Sequence, residues 1–266
     1  MDLTAIKDAA LSYLEPAKAE ILKWYRRDFS VEKKPDQSPV TIADRKAEEI
    51  LRKKISRDFP DHGIIGEEFG EENSHAEWVW TIDPIDGTRS FVQGLPLFAS
   101  LIALLHHREP VMGIITLPAL GETAWAVKGK GSFCGNTRLK VSPQTRLDKA
   151  VVATGDLYCF REKNCASLFH RLGREAALLR TYPDAFGHLM AIRGAVDVMV
   201  DPWAYIWDYA PCKILVEEAA GRFANFSGNR AAIDGETAIV GNPALVQKIR
   251  KIYLEGKKTR LPKGRT

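Results

Sequence analysis

The chain has 266 residues, of which 45% are hydrophobic and 27% charged, with a formal net charge of +4. That length can bury a large core as one big domain or two intimate halves. Charge this small, with both signs interspersed, does not imply a nucleic-acid-binding surface, and no apolar run is long enough to span a bilayer.

Leu3, Ile6, Ala10, Tyr13, Leu14, Ala17, Ile21, Trp24 and Tyr25 recur at helical spacing, which predicts a helix over 3–27 that Pro16 can kink or split. Its first residues have neither a basic start nor an apolar stretch, so no secretory signal is read there. Residues 30–40 are polar, contain two prolines and are expected to form a loop. Thr41 is a fair N-cap for the next helix, which sets Asp44, Ala47, Leu51 and Ile55 on one stripe. Arg45, Lys46, Glu48, Glu49, Arg52 and Lys53 are assigned to its solvated side. Asp44 therefore lies on the apolar face, where an unpaired carboxylate is costly. The alternative is that it only serves the helix N-terminus. A short strand, Ile64-Ile65-Gly66, leads into Glu67, with Glu71 and Glu72 as a solvated rim.

Trp78-Val-Trp-Thr-Ile82 is expected to be a buried strand that stops at Asp83, because Pro84 ends ladder pairing. Asp86 follows three residues later, and the intervening turn can bring both carboxylates to one side. Two close carboxylates repel, and a divalent cation relieves the repulsion. Gly87 has no Cβ, so an anion can approach the amides that follow, and a helix opening at Thr88 would favour phosphate. This makes a site for Mg²⁺ and a phosphate ester, set against the plain alternative of a solvated turn.

Strands at 98–105, 111–117 and 123–127 read as an antiparallel meander, and Gly129 to Phe133 as a turn. A polar, basic run near 137–149 marks the boundary between residues 1–145 and 146–266. The second half alternates: strand 151–154, helix 160–172, helix 186–192, strand 196–200, helix 208–219, strand 238–240, helix 243–254. Cys134, Cys159, Cys165 and Cys212 lack metal-ligand spacing and are expected to be free thiols in a reducing compartment, the cytoplasm. The basic run Lys257 to Arg265 reads as a frayed end. Asp208 opens a helix, the commonest place for a capping acid, but the stretch before it, Trp203 to Trp207, is largely apolar. The helix terminus favours its ionised form, as a metal ligand requires.

Together these segments resemble the inositol monophosphatase family of Mg²⁺-dependent, lithium-sensitive phosphatases. The matching stretches are Gly66-Glu67-Glu68, Asp83-Pro84-Ile85-Asp86-Gly87-Thr88, Trp207-Asp208 with Glu217-Glu218-Ala219-Ala220-Gly221, and Val240-Gly241-Asn242-Pro243. They stand in the family's order over nearly the whole chain. Ala220 departs from the family's glycine, with only a packing effect expected.

The resemblance implies an α+β fold, a layered αβαβα sandwich of the inositol monophosphatase and fructose-1,6-bisphosphatase type. It assigns Glu67, Asp83, Asp86, Asp208 and the Ile85 carbonyl to two or three Mg²⁺ ions. Asp44 and Thr88 would orient and activate the attacking water together with Glu67. The amides of Gly87 and Thr88 would carry phosphate beside Asp86. A homodimer and a small phosphorylated alcohol as substrate are also implied. Residues 87–106 and Asp184 to His188 look most like the histidinol-phosphate phosphatase branch, which acts in histidine biosynthesis. Inositol 1-phosphate and 3′-phosphoadenosine nucleotides are the alternative substrates. Asp184 and Asp201 are candidate contacts to the substrate's organic part, with loop caps as the alternative. Arg89 is a candidate partner of substrate phosphate or of Asp184. A partner-binding protein that keeps the fold without catalysis is a further reading. A Ca²⁺-stabilised non-enzyme is weakened by the lack of a twelve-residue Ca²⁺ loop.

Overall fold

A computed structural model describes residues 1–34, 39–227 and 235–258; most of the basic C-terminal run lies outside them. The elements in order are α1 (Leu3–Trp24), β1 (Val31–Lys33), β2 (Pro39–Thr41), α2 (Ile42–Asp58), β3 (Gly63–Gly66), β4 (Gly70–Glu72), β5 (Trp78–Asp86) and α3 (Thr88–Val92). There follow β6 (Ala99–His106), β7 (Glu109–Leu117), β8 (Glu122–Val127), β9 (Gly131–Cys134), β10 (Thr137–Arg138), β11 (Val151–Thr154), α4 (Leu157–Glu162) and α5 (Ala166–Glu175). The chain then forms β12 (Leu178–Thr181), α6 (Asp184–Ile192), β13 (Val198–Asp201), α7 (Ile206–Glu218), β14 (Arg222–Ala224), β15 (Ala238–Gly241) and α8 (Pro243–Lys258).

An eight-stranded sheet runs β10-β9-β8-β7-β6-β5-β3-β4, antiparallel except where β3 lies parallel to β5. A five-stranded mixed sheet runs β12-β11-β13-β15-β14. Side chains alternate across a strand, and here both faces of the large sheet are buried. Ile102, Leu104, Met112 and Ile114 pack against α1 and α2. Ala99, Leu101, Ile115 and Leu117 pack against α6 and α7, which also cover the second sheet. On that sheet's far side lie α5 and α8. The layers are thus α, β, α, β, α, the expected sandwich. Because both faces are buried, the β6 sequence is apolar almost throughout rather than alternating. A Cβ at Gly113 would come within 2.8 Å of Pro211 Cα, so only glycine lets α7 lie this close to β7.

Several expectations need correction. Pro16 does not split α1, which spans it without a break. Within 30–40, β1 and β2 pair as a small ladder. Gly131 to Phe133 belongs to a strand paired with β8, not to a turn. The helix expected over 160–172 is two helices, broken where Asn164 takes φ 53°. Glu48 is fully buried rather than solvated. Ala220 has φ 61°, so its departure from glycine is a backbone matter as well as a packing one. An L-residue there, just past the end of α7, costs about 1 kcal/mol that glycine would not.

The most consequential difference is in β5, which does not stop at Asp83 but pairs with β6 as far as Asp86. Asp83 stands opposite Leu101 and Asp86 opposite Ala99, so three steps on β5 match two on β6. That extra residue is a β-bulge, and it reverses the side-chain parity. Trp80 and Ile82 point into the α1–α2 core, and so does Ile85 beyond the bulge. Asp83 and Asp86 consequently share the other face, toward α7.

Candidate active site

Four segments converge at the ends of β3 and β5. A carboxylate oxygen from each of Asp83, Asp86 and Asp208 lies within 4.8 Å of the others. Asp83 and Asp86 are brought together by the bulge, and Asp208 by the first turn of α7. Asp208 is not the N-cap. It sits in the helix's first turn and reaches back to accept a hydrogen bond from the Tyr205 amide at 2.7 Å. Asp86 accepts one from the Ala185 amide at 2.5 Å, which ties β5 to the start of α6. Gly87 has φ 80°, in the left-handed region that favours glycine, and a Cβ on it would press on the Asp184 carboxylate.

These carboxylates line one cleft of ≈ 490 Å³ with Glu67, Ile85, Thr88, Arg89, Asp156, Asp184, Asp201 and Trp203. Burial raises Asp83 and Asp86 well above the usual carboxylate range, reinforced by Glu67 at the first and Asp184 at the second. Burial, then Glu67, pushes Asp208 up to about 8. Burial, then Asp201, pushes Asp184 up to about 7. Such a group asks for protons or for a cation. Asp83 Oδ1 is buried without a hydrogen-bond partner, which an incoming metal ion would correct. The donor set, carboxylates with a nearby carbonyl, suits a hard divalent cation.

Glu67 follows β3 and is held by Lys34, whose Nζ lies 2.6 Å from both Glu67 Oε1 and Glu68 Oε1. Burial pulls the Lys34 ammonium down, but the two glutamates outweigh it and hold its pKa above the ordinary value. Asp44 comes from α2, in the layer across the sheet. It accepts hydrogen bonds from the Thr41 amide at 2.8 Å and hydroxyl at 2.5 Å, and from Thr88 Oγ1 at 3.4 Å. The single Thr88 hydroxyl hydrogen has the Ile85 carbonyl, at 3.0 Å, as its nearer acceptor and Asp44 as the alternative. Burial outweighs the Thr41 bonds and pushes Asp44 up to about 6. The first amides of α3 lack partners within that helix and face the same cleft.

The remaining candidates are placed differently. Asp201 is buried with both oxygens engaged, Oδ2 with His188 at 3.1 Å and Oδ1 with the Trp203 amide at 3.1 Å. Asp184 holds φ 55° at the start of α6. Arg89 is half-exposed, 4.0 Å from Asp156 and stacked over Tyr158.

Three residues were missed. Lys34 lay in a stretch read only as loop. Asp156 gave no pattern. Glu48 did carry a clue: it follows Asp44 by four residues and shares its stripe with Leu51 and Ile55. Its carboxylate accepts from the amides of Glu68 and Phe69 at 2.8 and 3.2 Å and pairs with Arg52 at 2.8 Å. It thereby fixes the loop that presents Glu67.

Residues 2–255 match the model of the inositol monophosphatase family. A histidinol-phosphatase of Chlorobaculum parvum is 36% identical over 94% of this chain and 97% of its own. One from Streptomyces coelicolor is 39% identical over 79% and 82%. Among solved structures, an IMPase of Thermotoga maritima superposes with a TM-score of 0.86 at 30% identity, covering 97% of this chain and 99% of that one. The chain belongs to the inositol monophosphatase family and is a phosphatase that hydrolyses phosphate monoesters.

Proposed function

We propose that the chain is a Mg²⁺-dependent histidinol-phosphate phosphatase. The observation that carries the metal requirement is the orphaned Asp83 oxygen among Asp86 and Asp208, carboxylates that burial has driven toward protonation. Glu67, Asp83, Asp86, Asp208 and the Ile85 carbonyl would hold two or three ions. When bound, the ions supply an activated water and neutralise charge on the leaving oxygen.

The chain's own groups do the rest. Thr88 and Asp44 form a hydrogen-bonded pair at the cleft. The Thr88 hydroxyl orients the attacking water and passes its proton toward Asp44, which is matched to operation near neutral pH. The amides opening α3 would receive the phosphate oxygens while water attacks phosphorus and the ester oxygen departs, taking its proton from solvent. Ser100 donates to the Pro84 carbonyl at 2.6 Å and stiffens the bulge that carries both aspartates.

The substrate reading rests on the histidinol-phosphatase relatives and on charge. Beyond the metal ligands the cleft wall is acidic, with Asp156 and Asp184, and has the Trp203 face nearby. An imidazole and amine suit such a wall better than a polyol. We also expect a cytoplasmic homodimer; sedimentation would show the mass. Rates with histidinol phosphate, inositol 1-phosphate and a 3′-phosphoadenosine nucleotide at saturating Mg²⁺ test the reading. A kcat/KM at least about tenfold higher for histidinol phosphate is expected, equivalent to one interaction of roughly 1.4 kcal/mol. Equal, feeble rates on all three would overturn the substrate and leave the phosphatase standing.

A further inference from the structure

At the other end of β5, remote from the cleft, Glu77, His106 and His107 converge. One ligand atom from each lies within 4.8 Å of the others. His106 Nε2 is 2.9 Å and His107 Nε2 3.8 Å from the same Glu77 oxygen, Oε1. Tetrahedral ligands about 2.0–2.1 Å from a zinc ion stand about 3.3–3.4 Å apart. The two observed Glu77–histidine separations bracket that value, and the third ligand pair lies within 4.8 Å.

The arrangement is held in place by the fold. His106 ends β6, opposite Trp78, and its ring stacks on that indole with centroids 4.0 Å apart. The β6–β7 hairpin then turns through His107 and Arg108, both with left-handed backbones, φ 50° and 65°. That turn curls the second imidazole back over the first, with ring centroids 4.2 Å apart. The His107 amide donates to the Glu77 carbonyl at 2.9 Å, which locks the hairpin tip against the residue before β5. Side chains adjacent in sequence would otherwise diverge across a strand. All three groups are partly or fully open to solvent, so an ion has an entry path.

We propose that Glu77, His106 and His107 form a second metal site, for a divalent transition ion of the zinc type, separate from the catalytic centre. Two imidazoles with one carboxylate select zinc, nickel or copper, whereas the all-oxygen catalytic set suits magnesium. Six residues of extended strand separate Glu77 from Asp83, on the order of 20 Å at about 3.3 Å per residue. The ion therefore clamps the β6–β7 hairpin to β5 and takes no part in hydrolysis.

The test uses the full chain saturated with Mg²⁺, so that the oxygen-rich cleft is already filled. Zn²⁺ is titrated by calorimetry, and Cu²⁺ is examined by electron paramagnetic resonance. His107→Asn removes one imidazole while suiting the left-handed turn, so folding is preserved. The expected result is one zinc per chain in the wild type, bound about tenfold or more weakly in His107→Asn. Copper should show two nitrogen ligands, falling to one in the variant. Phosphatase activity and the metal-free melting temperature should not fall in the variant, and Asp83→Asn should keep the zinc. Absence of zinc binding by the wild type overturns the proposal. So does an affinity and nitrogen signature unchanged in His107→Asn, which would mark the binding as adventitious.

Discussion

The cleft holds two groups of acids that differ in how their charge is met. Asp156 has Arg89 beside it, and Asp201 is spoken for by His188 and a backbone amide. Asp86 and Asp208 each receive a backbone amide, and one oxygen of Asp83 receives nothing. Among the described residues no lysine or arginine pairs with that trio. Three buried carboxylates in this condition ask for protons or for a cation. On the proposed function, the first group would shape what enters the cleft and the second would hold the ions.

Breaking the uncompensated group should have the largest effect. Asp83→Asn keeps the shape and removes charge, and hydrolysis of every substrate should drop by about 10³-fold or more. Phosphate release measures it, with circular dichroism to confirm folding. Next comes the support behind Glu67. Glu48→Gln should raise the Mg²⁺ concentration needed for half-maximal rate by about 10–100-fold while leaving the rate at saturating Mg²⁺ within a few-fold. A Mg²⁺ activation curve separates the two; an unchanged curve would show that Glu48 does not hold the Glu67 loop. Asp184 stands between the two groups, and Asp184→Asn should raise KM for histidinol phosphate by about tenfold and for inositol 1-phosphate by less. Asparagine tolerates the backbone at that position. Equal changes for both substrates would remove the distinction between the groups.

The smallest effect is on stability. Asp184 and Asp208 sit at about 7 and 8 when folded, against 3.8 ordinarily. Between those values the metal-free folded chain binds protons that the unfolded chain releases. Stability is therefore greatest at the acid end and falls as pH rises through the window. Surface acids such as Asp58, paired with Arg57 and Tyr13, are shifted downward and titrate below it. Magnesium replaces the protons and should flatten the slope. Melting temperatures between about pH 5 and pH 8, with chelator and with Mg²⁺, measure this. A metal-free melting temperature that climbs with pH would contradict it.

Much of this was legible in the sequence because the residues carrying it break a local rule. Asp44 interrupts an apolar stripe, and Asp83 breaks an apolar run before proline. The layers were legible from alternation and helical spacing. What was hidden depends on tertiary context. No local pattern announces that β5 continues through Pro84 with a bulge, yet that bulge puts Asp83 and Asp86 on one face. β12 and β14 are three or four residues long and owe their existence to the neighbours they pair with. Glu48 reads as a surface charge until the amides of Glu68 and Phe69 are seen to meet it. Lys34 belongs to a polar stretch whose role exists only once Glu67 has been folded against it.

The central claim is that Glu67, Asp83, Asp86 and Asp208 share divalent ions. Crystals soaked in Mn²⁺, read by anomalous scattering, test it most directly. The account predicts at least two peaks about 3.5–4 Å apart, bounded by those four carboxylates, with Lys34 displaced from Glu67. A saturated crystal with no peak between Asp83 and Asp208, or with Lys34 still seated on Glu67, would contradict it.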